Sequence, residues 1–240
     1  MNIATKIAGQ IKKLPLGKTF GYKDLDITTD QYVTAAKALE RLQKKGIIKK
    51  VANGKFYKPE NTVFGELKPS ETELLKPYLF EGNNRIAYIT GALLYNQMGL
   101  TRQVASKIKI ASRGKRIYVQ AGNIKATPVK SYVEVTNDNY RQLGFLDALK
   151  DINIISDLDP KSAIVILSNM LKEMPSKKLT ETIKYALVYP PRTRALLGAL
   201  LENMEKNEFV QTLKESLNPF SEYKTVISKQ LPTGKNWNLV

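Results

Sequence analysis

Seven cations grouped around one helix and one turn are the residues best placed for chemistry. Lys37, Arg41 and Lys44 recur three or four residues apart, which puts them on one face of a helix. Lys49, Lys50, Lys55 and Lys58 flank the dipeptide Asn53-Gly54. Such groups hold phosphates without making or breaking a bond, and they position a protein on a nucleic acid rather than specify its sequence. Gln31, Tyr32 and Thr34 stand at the start of the same helix, the part of a recognition helix that reaches base edges. The expected DNA-contacting set is therefore Gln31, Tyr32, Thr34, Lys37, Arg41 and Lys44 on the helix, with Lys49, Lys50, Asn53, Gly54 and Lys55 on the hairpin. The competing reading is a set of solvated lysines that keep an ordinary helix and hairpin soluble.

Signals for catalysis are poor. The chain has no His and no Cys, so Ser-His-Asp and Cys-His mechanisms are excluded, as are Cys- or His-based metal sites. Gly17-Lys18-Thr19 ends like a P-loop, but that motif needs Gly five residues earlier, and Lys12 stands there. Glu66-Leu67-Lys68 resembles the E-x-K of metal-dependent nucleases, yet Pro69 follows and no nearby strand offers a partnering Asp. Asp157 and Asp159 read as helix caps. Arg192 and Arg194 could grip an acidic partner or a phosphate, or simply decorate a helix start. No catalytic, cofactor-binding or metal-binding residue is assigned, no cofactor is expected, and the chain is read as a non-enzyme.

The elements that must position the basic set are legible. Ile3, Ile7, Ile11 and Leu14 mark one face of a first helix, stopped by Pro15 and Gly17. A short step holding Phe20, Tyr22 and Leu25 follows. Thr28, Thr29 and Asp30 are acceptable N-caps for a long helix, with Val33, Ala36, Leu39 and Leu42 expected as its buried stripe. Gly46 is its stop. A strand then starts at Ile47, Asn53-Gly54 is the strongest short hairpin signal, and Lys55 to Lys58 returns. Helix, short helix, basic helix and hairpin in this order describe a winged helix-turn-helix.

Charge distribution points the same way. Of 38 Lys+Arg and 22 Asp+Glu, residues 1–60 carry 13 and 5, whereas residues 146–240 carry 13 and 11. A polyanion-binding N-terminal module is expected, with a C-terminal part that does something else. No run of 18 apolar residues occurs, and the N-terminal segment has charges inside its apolar pattern, so neither a membrane span nor a secretory signal is expected. The cytoplasm is the expected location, and no membrane partner is expected.

Farther on, Ser70 and Glu73 have capping-box spacing. Residues 88–99 read as a short helix ending at Gly99. From about Lys107 the period becomes two, with Ile108/Ile110, Ile117/Val119, Ile124/Ala126 and Val133/Val135, interrupted by turn-like residues 112–115 and 120–123. From Thr136 the chain is read as helical, with four apolar stripes, Pro190-Pro191 opening the fourth helix, and a fifth helix over 207–217.

The segments "GKTFGYKDL", "AAKALERLQKKGIIKKVANGKFYKP", "FGELKPSETELL", "YITGALLYNQMGLTRQV", "LDALKDI", "YPPRTRALLGALLE" and "LPTGKNW" resemble the AbiEi-type antitoxin family in its winged-helix branch. The resemblance covers nearly the whole chain in the same order. It implies one half of a bacterial type IV toxin–antitoxin pair connected with abortive infection and phage defence. In that family the N-terminal domain represses its own operon by binding promoter repeats, so double-stranded DNA with inverted repeats is the implied partner. The C-terminal domain counters a nucleotidyltransferase-like toxin without a stable complex.

The expectation is thus an α+β protein: a winged helix-turn-helix over 1–60, then an antitoxin-like domain over 61–240. That second domain should hold a small, mostly antiparallel sheet over about 105–135 and a helical C-terminal region from about 136. The expected function is antitoxin and transcriptional autorepressor. The alternatives are a metal-dependent nuclease, an orphan winged-helix regulator or a protein-interaction module.

Overall fold

The structure is a computed structural model that describes residues 2–63, 65–121 and 124–240. The turn expected at 120–123 includes Gly122 and Asn123, and the segment beginning at Phe64 includes that residue; all three lie outside the described residues. The protein is α+β, with helices and small antiparallel or mixed sheets. It divides into two compact units, residues 1–86 with 118–126 and residues 87–117 with 127–240.

In the first unit, α1 (Ile3–Lys13) is capped by Asn2, whose side chain accepts from the Ala4 N–H at 3.0 Å, and it buries Ile7 and Ile11. After β1 (Thr19–Gly21) a 3-10 turn at Tyr22–Asp24 follows, and a second at Thr29–Gln31 leads into α2 (Tyr32–Lys44). Gly46 ends this helix in the left-handed region, at φ +71°, where the Ile47 N–H donates back to the Leu42 carbonyl at 3.0 Å. Next come β2 (Lys49–Ala52) and β3 (Lys55–Tyr57), joined by the two-residue turn Asn53-Gly54, with Gly54 at φ +67°. The sheet order is β1-β3-β2, all antiparallel. The core is Ile7, Ile11, Phe20, Leu25, Ala35, Ala38, Leu39, Ile48 and Phe56.

The stripe expected on α2 is partly wrong. Ala35, Ala38 and Leu39 are buried, while Val33 is 65% exposed. At about 100° per residue, Val33 falls with Lys37 and Lys44, away from Leu39. A strict three-residue step drifts around a 3.6-residue helix and cannot stay on one face.

The first unit does not close at residue 60. It continues through β4 (Glu60–Thr62), β5 (Gly65–Leu67), α3 (Glu71–Leu79), β6 (Phe80–Glu81) and β7 (Asn84–Arg85). Ser70 caps α3 as expected, accepting from the Glu73 N–H at 3.2 Å. Pro77 lies inside α3 and lacks an N–H, so the Glu73 carbonyl loses its helical donor. The Thr19 hydroxyl of β1 donates to that carbonyl at 2.6 Å instead, and this bond fastens α3 to the unit.

The second unit starts with β8 (Ala87–Thr90), α4 (Ala92–Gln97) and β9 (Ile108–Ser112). Residues 88–99 are therefore strand and helix, not one helix. Ala87, Tyr88 and Thr90 are all buried, and a strand buried on both faces has no period-two pattern to separate it from a helix. Gly91, at φ +74°, makes the break. The chain then contributes β10 (Val119–Ala121) to the first unit and β11 (Ile124–Lys130) to both. Val119 to Ala121 pair with Ala126 to Ile124 in the first unit, and the rest of β11 lies beside β9, itself antiparallel to β8, in the second. Val133 and Val135 do not form a strand: that segment is a loop held by Asn139, whose side chain donates to the Glu134 carbonyl and accepts from the Thr136 N–H, each at 2.8 Å.

Helices α5 (Tyr140–Asp151), α6 (Pro160–Lys172), α7 (Ser176–Ala186), α8 (Pro191–Asn203) and the short α9 (Gln211–Glu215) complete the unit. Helix α8 is buried without interruption from Ala195 to Leu201, the mark of a central helix. Gly198 lets the Trp237 ring lie against it; a Cβ at 198 would stand 2.1 Å from that ring.

Candidate nucleic-acid interface

The start of α2 and the hairpin turn meet through aromatic rings of the first unit. Tyr22 packs against Tyr32 with ring centroids 4.5 Å apart and planes tilted by 37°, and Tyr22 also meets Phe56 edge-on at 6.1 Å. A Cβ on Gly54 would sit 3.4 Å from the Tyr22 ring, and one on Gly21 would sit 3.1 Å from the Gly54 carbonyl. Two glycines thus let the turn approach the chain that leads into α2. Sequence reasoning assigned Tyr22 only to a core. Its bridging role depends on β1 pairing with β3, where Gly21 lies opposite Lys55.

The helix residues fall into three groups. Thr34, Lys37, Arg41 and Lys44 are exposed and share the face that also carries Val33. Tyr32 lies on the other flank, half-exposed, packed against Tyr22. Gln31 is turned back to the backbone, its side-chain oxygen accepting from the Thr28 N–H at 3.4 Å. Lys44 pairs with Glu40 at 2.8 Å, and this holds the Glu40 carboxyl below its usual range. Both side chains are exposed, so the pair breaks at little cost.

The hairpin lysines are less uniform than their spacing implies. Lys49 forms an ion pair with Glu66. Lys55 donates to the Pro77 carbonyl at 2.5 Å and lies 4.7 Å from the centre of the Tyr78 ring. Burial lowers its pKa, with Lys23 acting the same way and Asp24 and Glu81 opposing. Lys58 donates to the Lys12 and Leu14 carbonyls, each at 3.0 Å, satisfying the C-terminal end of α1. Lys50 is exposed, and its ammonium has no hydrogen-bond or ion-pair partner among the described residues. Asn53 is exposed at the turn.

Glu66 is committed to structure. It accepts from the Tyr57 hydroxyl at 2.7 Å and from Lys49, and these bonds lower its pKa. Burial, then the bond to Glu66, pushes the Tyr57 phenol up to about 12. Among the described residues no group of three or more Asp or Glu is arranged to hold a metal ion.

In the second unit, Asp159 caps α6, accepting from the Ser162 N–H at 2.8 Å, while Asp157 takes the Arg102 N–H at 3.1 Å and the Thr101 hydroxyl. Arg192 donates to the Lys150 carbonyl at 2.9 Å and Arg194 to the Ser216 carbonyl at 2.8 Å. Asp147, 2% exposed, accepts from the hydroxyls of Tyr88 at 2.9 Å, Thr90 at 2.7 Å and Tyr189 at 3.3 Å, and pairs with Lys150 at 3.3 Å. Burial works against the Lys150 charge, but Asp147 and Asp151 outweigh it and raise its pKa. The Asp147 cluster had no signal in sequence spacing, because its members come from β8, α5 and the segment before α8.

No curated protein matches the chain. A crystal structure of the RV2827C protein from Mycobacterium tuberculosis is similar at a TM-score of 0.49 and 12% identity, covering 91% of this chain and 83% of that one. A family model matches residues 6–179, which span the helix, the hairpin and most of the Asp147 cluster, and on that match the chain belongs to a family of unknown function, DUF6088.

Proposed function

We propose that the first unit is a winged helix-turn-helix that binds double-stranded DNA, with α2 as the recognition helix and the β2–β3 hairpin as the wing. The observation that carries this reading is the exposed face of Thr34, Lys37 and Arg41 on a helix whose first turn is tied to the hairpin through Tyr32 and Tyr22. A helix that enters a major groove needs a polar, cationic outer face, and a wing needs a fixed place beside it. Lys37, Arg41, Lys44 and Lys50 would hold phosphates, and Thr34 and Asn53 would approach base edges or the groove wall. The protein then acts as a cytoplasmic transcriptional autorepressor and antitoxin, as the resemblance to AbiEi-type antitoxins implies, opposing a nucleotidyltransferase-like toxin. It has no catalytic role in this reading.

The test is a titration of the full chain against the intergenic region upstream of its gene and against random DNA, at several salt concentrations. The expected result is tighter binding to the upstream region, with affinity falling as salt rises. Equal binding to both DNAs would overturn sequence-specific repression. No binding at low salt would leave the exposed face of α2 as a protein-docking surface. Toxin neutralisation is tested separately, by co-expression with a neighbouring nucleotidyltransferase-like gene; undiminished toxicity would remove the antitoxin assignment.

A further inference from the structure

Beside the hairpin of the first unit lies an open groove of about 590 Å³, lined chiefly by Lys50, Val51, Asn53, Tyr78, Tyr118 and Gln120. Two strand edges border it. Strand β2 is the outer strand of its sheet, and β10, which lies beside it, has β11 as its pairing partner. Strand β2 carries a bulge at Val51, since Lys50 pairs with Phe56 and Ala52 with Lys55. The bulge interrupts the regular row of N–H and C=O groups that an added peptide strand would need.

The lining is chemically selective. Among the described residues it has one cation, Lys50, and no carboxylate. The side-chain amides of Asn53 and Gln120 have no hydrogen-bond partner among the described residues. Tyr118 is 68% exposed, because its neighbours Ile117 and Val119 take the inward positions of an alternating segment. An exposed aromatic ring, free amides and a cation are the groups that hold a base by its face, its edge and its phosphate. The volume fits one nucleotide and is far too small for a duplex.

We infer that this groove is a stacking site for an unpaired nucleobase, with Tyr118 as the platform, Gln120 and Asn53 meeting the base edge, and Lys50 holding the adjoining phosphate. The inference rests on the nucleic-acid reading of the first unit, but Tyr118 and Gln120 have no part in the proposed duplex contacts.

The experiment measures fluorescence anisotropy of the full chain with labelled oligothymidylate and oligouridylate of about 12 nucleotides, a length within the usual single-strand site size, and with a blunt duplex. Tyr118→Ala is expected to weaken oligothymidylate binding roughly tenfold while changing duplex affinity by less than about twofold. Tyr118→Phe should retain binding, because the ring and not the hydroxyl stacks. A parallel loss on oligouridylate supports the same site for RNA strands, and a loss confined to oligothymidylate supports it for DNA. No effect of Tyr118→Ala on either strand, or an equal loss on duplex and single strand, overturns the inference. Tyr118-dependent strand binding without duplex binding would overturn the proposed function alone. Thermal melting of both variants verifies that this exposed residue can be changed without unfolding.

Discussion

Lys37 and Arg41 in the first unit and Arg192 and Arg194 in the second are all cations carried by helices, yet their surroundings are opposite. Lys37 and Arg41 are exposed on the outer face of α2. Arg192 and Arg194 are half-buried and donate to the carbonyls of Lys150 and Ser216. Lys150 goes further inward, toward Asp147 and Asp151. Lysine count alone therefore says little about binding. What matters is which charges retain access to a partner outside the fold and which are already engaged within it. The hairpin shows this division within a few residues, since Lys49, Lys55 and Lys58 are engaged and Lys50 is not.

The contrast breaks most visibly at Asp147. Asp147→Ala takes the carboxylate acceptor from the buried Tyr88 and Thr90 hydroxyls and leaves Lys150 paired with Asp151 alone, and should cost about 3–5 kcal/mol in urea unfolding. DNA affinity of the fraction that stays folded should not change. If the variant unfolds like the parent, the inward charges of the second unit do not hold its fold together.

Alkaline titration sharpens the same point. Burial, followed by the nearby Asp charges, raises the pKa values of Tyr88, Tyr95 and Tyr189 above the usual phenol range. The folded state therefore keeps protons that the unfolded chain releases from about pH 10. Their contribution to stability is complete below that pH and is lost as pH rises above it. Absorbance at about 295 nm, where tyrosinate absorbs, should show tyrosines that ionise only together with loss of near-UV circular dichroism. Smooth ionisation of every tyrosine in a folded protein would contradict this.

On the outward side, Lys37→Ala and Arg41→Ala should each weaken binding on all DNA sequences alike and reduce the salt slope by about one. Stability should move by no more than about 0.5 kcal/mol, as expected of exposed positions. Thr34→Ala should act differently, narrowing the gap between upstream and random DNA by about 1 kcal/mol or more with little change in salt slope. The smallest effect is expected from Lys49→Ala and Lys55→Ala, under about twofold on DNA, because their ammonium groups are held by Glu66 and by the Pro77 carbonyl. A loss as large as that of Lys37→Ala would show that these bonds open when DNA binds.

Much of the first unit was legible because its signals are local. Gly46 stops α2, Asn53-Gly54 turns the hairpin, and Ser70 caps α3, each within a few residues of the partner it needs. The turn also revealed where to look for a basic surface. Tyr118 was legible in principle, since the alternation of Ile117 and Val119 already sends it outward. Strand β8 was not, because burial on both faces removes the period that tells strand from helix.

The amino-acid sequence by itself determined the order of helices and turns, the concentration of cations in the first sixty residues, and the lack of any Cys- or His-based chemistry. Tertiary structure alone decided which lysines remain free. Lys49 reaches Glu66 seventeen residues away, Lys55 reaches Pro77 across twenty-two, and Lys58 reaches Lys12 across forty-six. Tertiary structure also brought Tyr118 and Gln120 alongside Lys50. The physical reason is range: caps and turns are settled by neighbouring backbone groups, whereas the partner of a long charged side chain depends on what folding places at its tip.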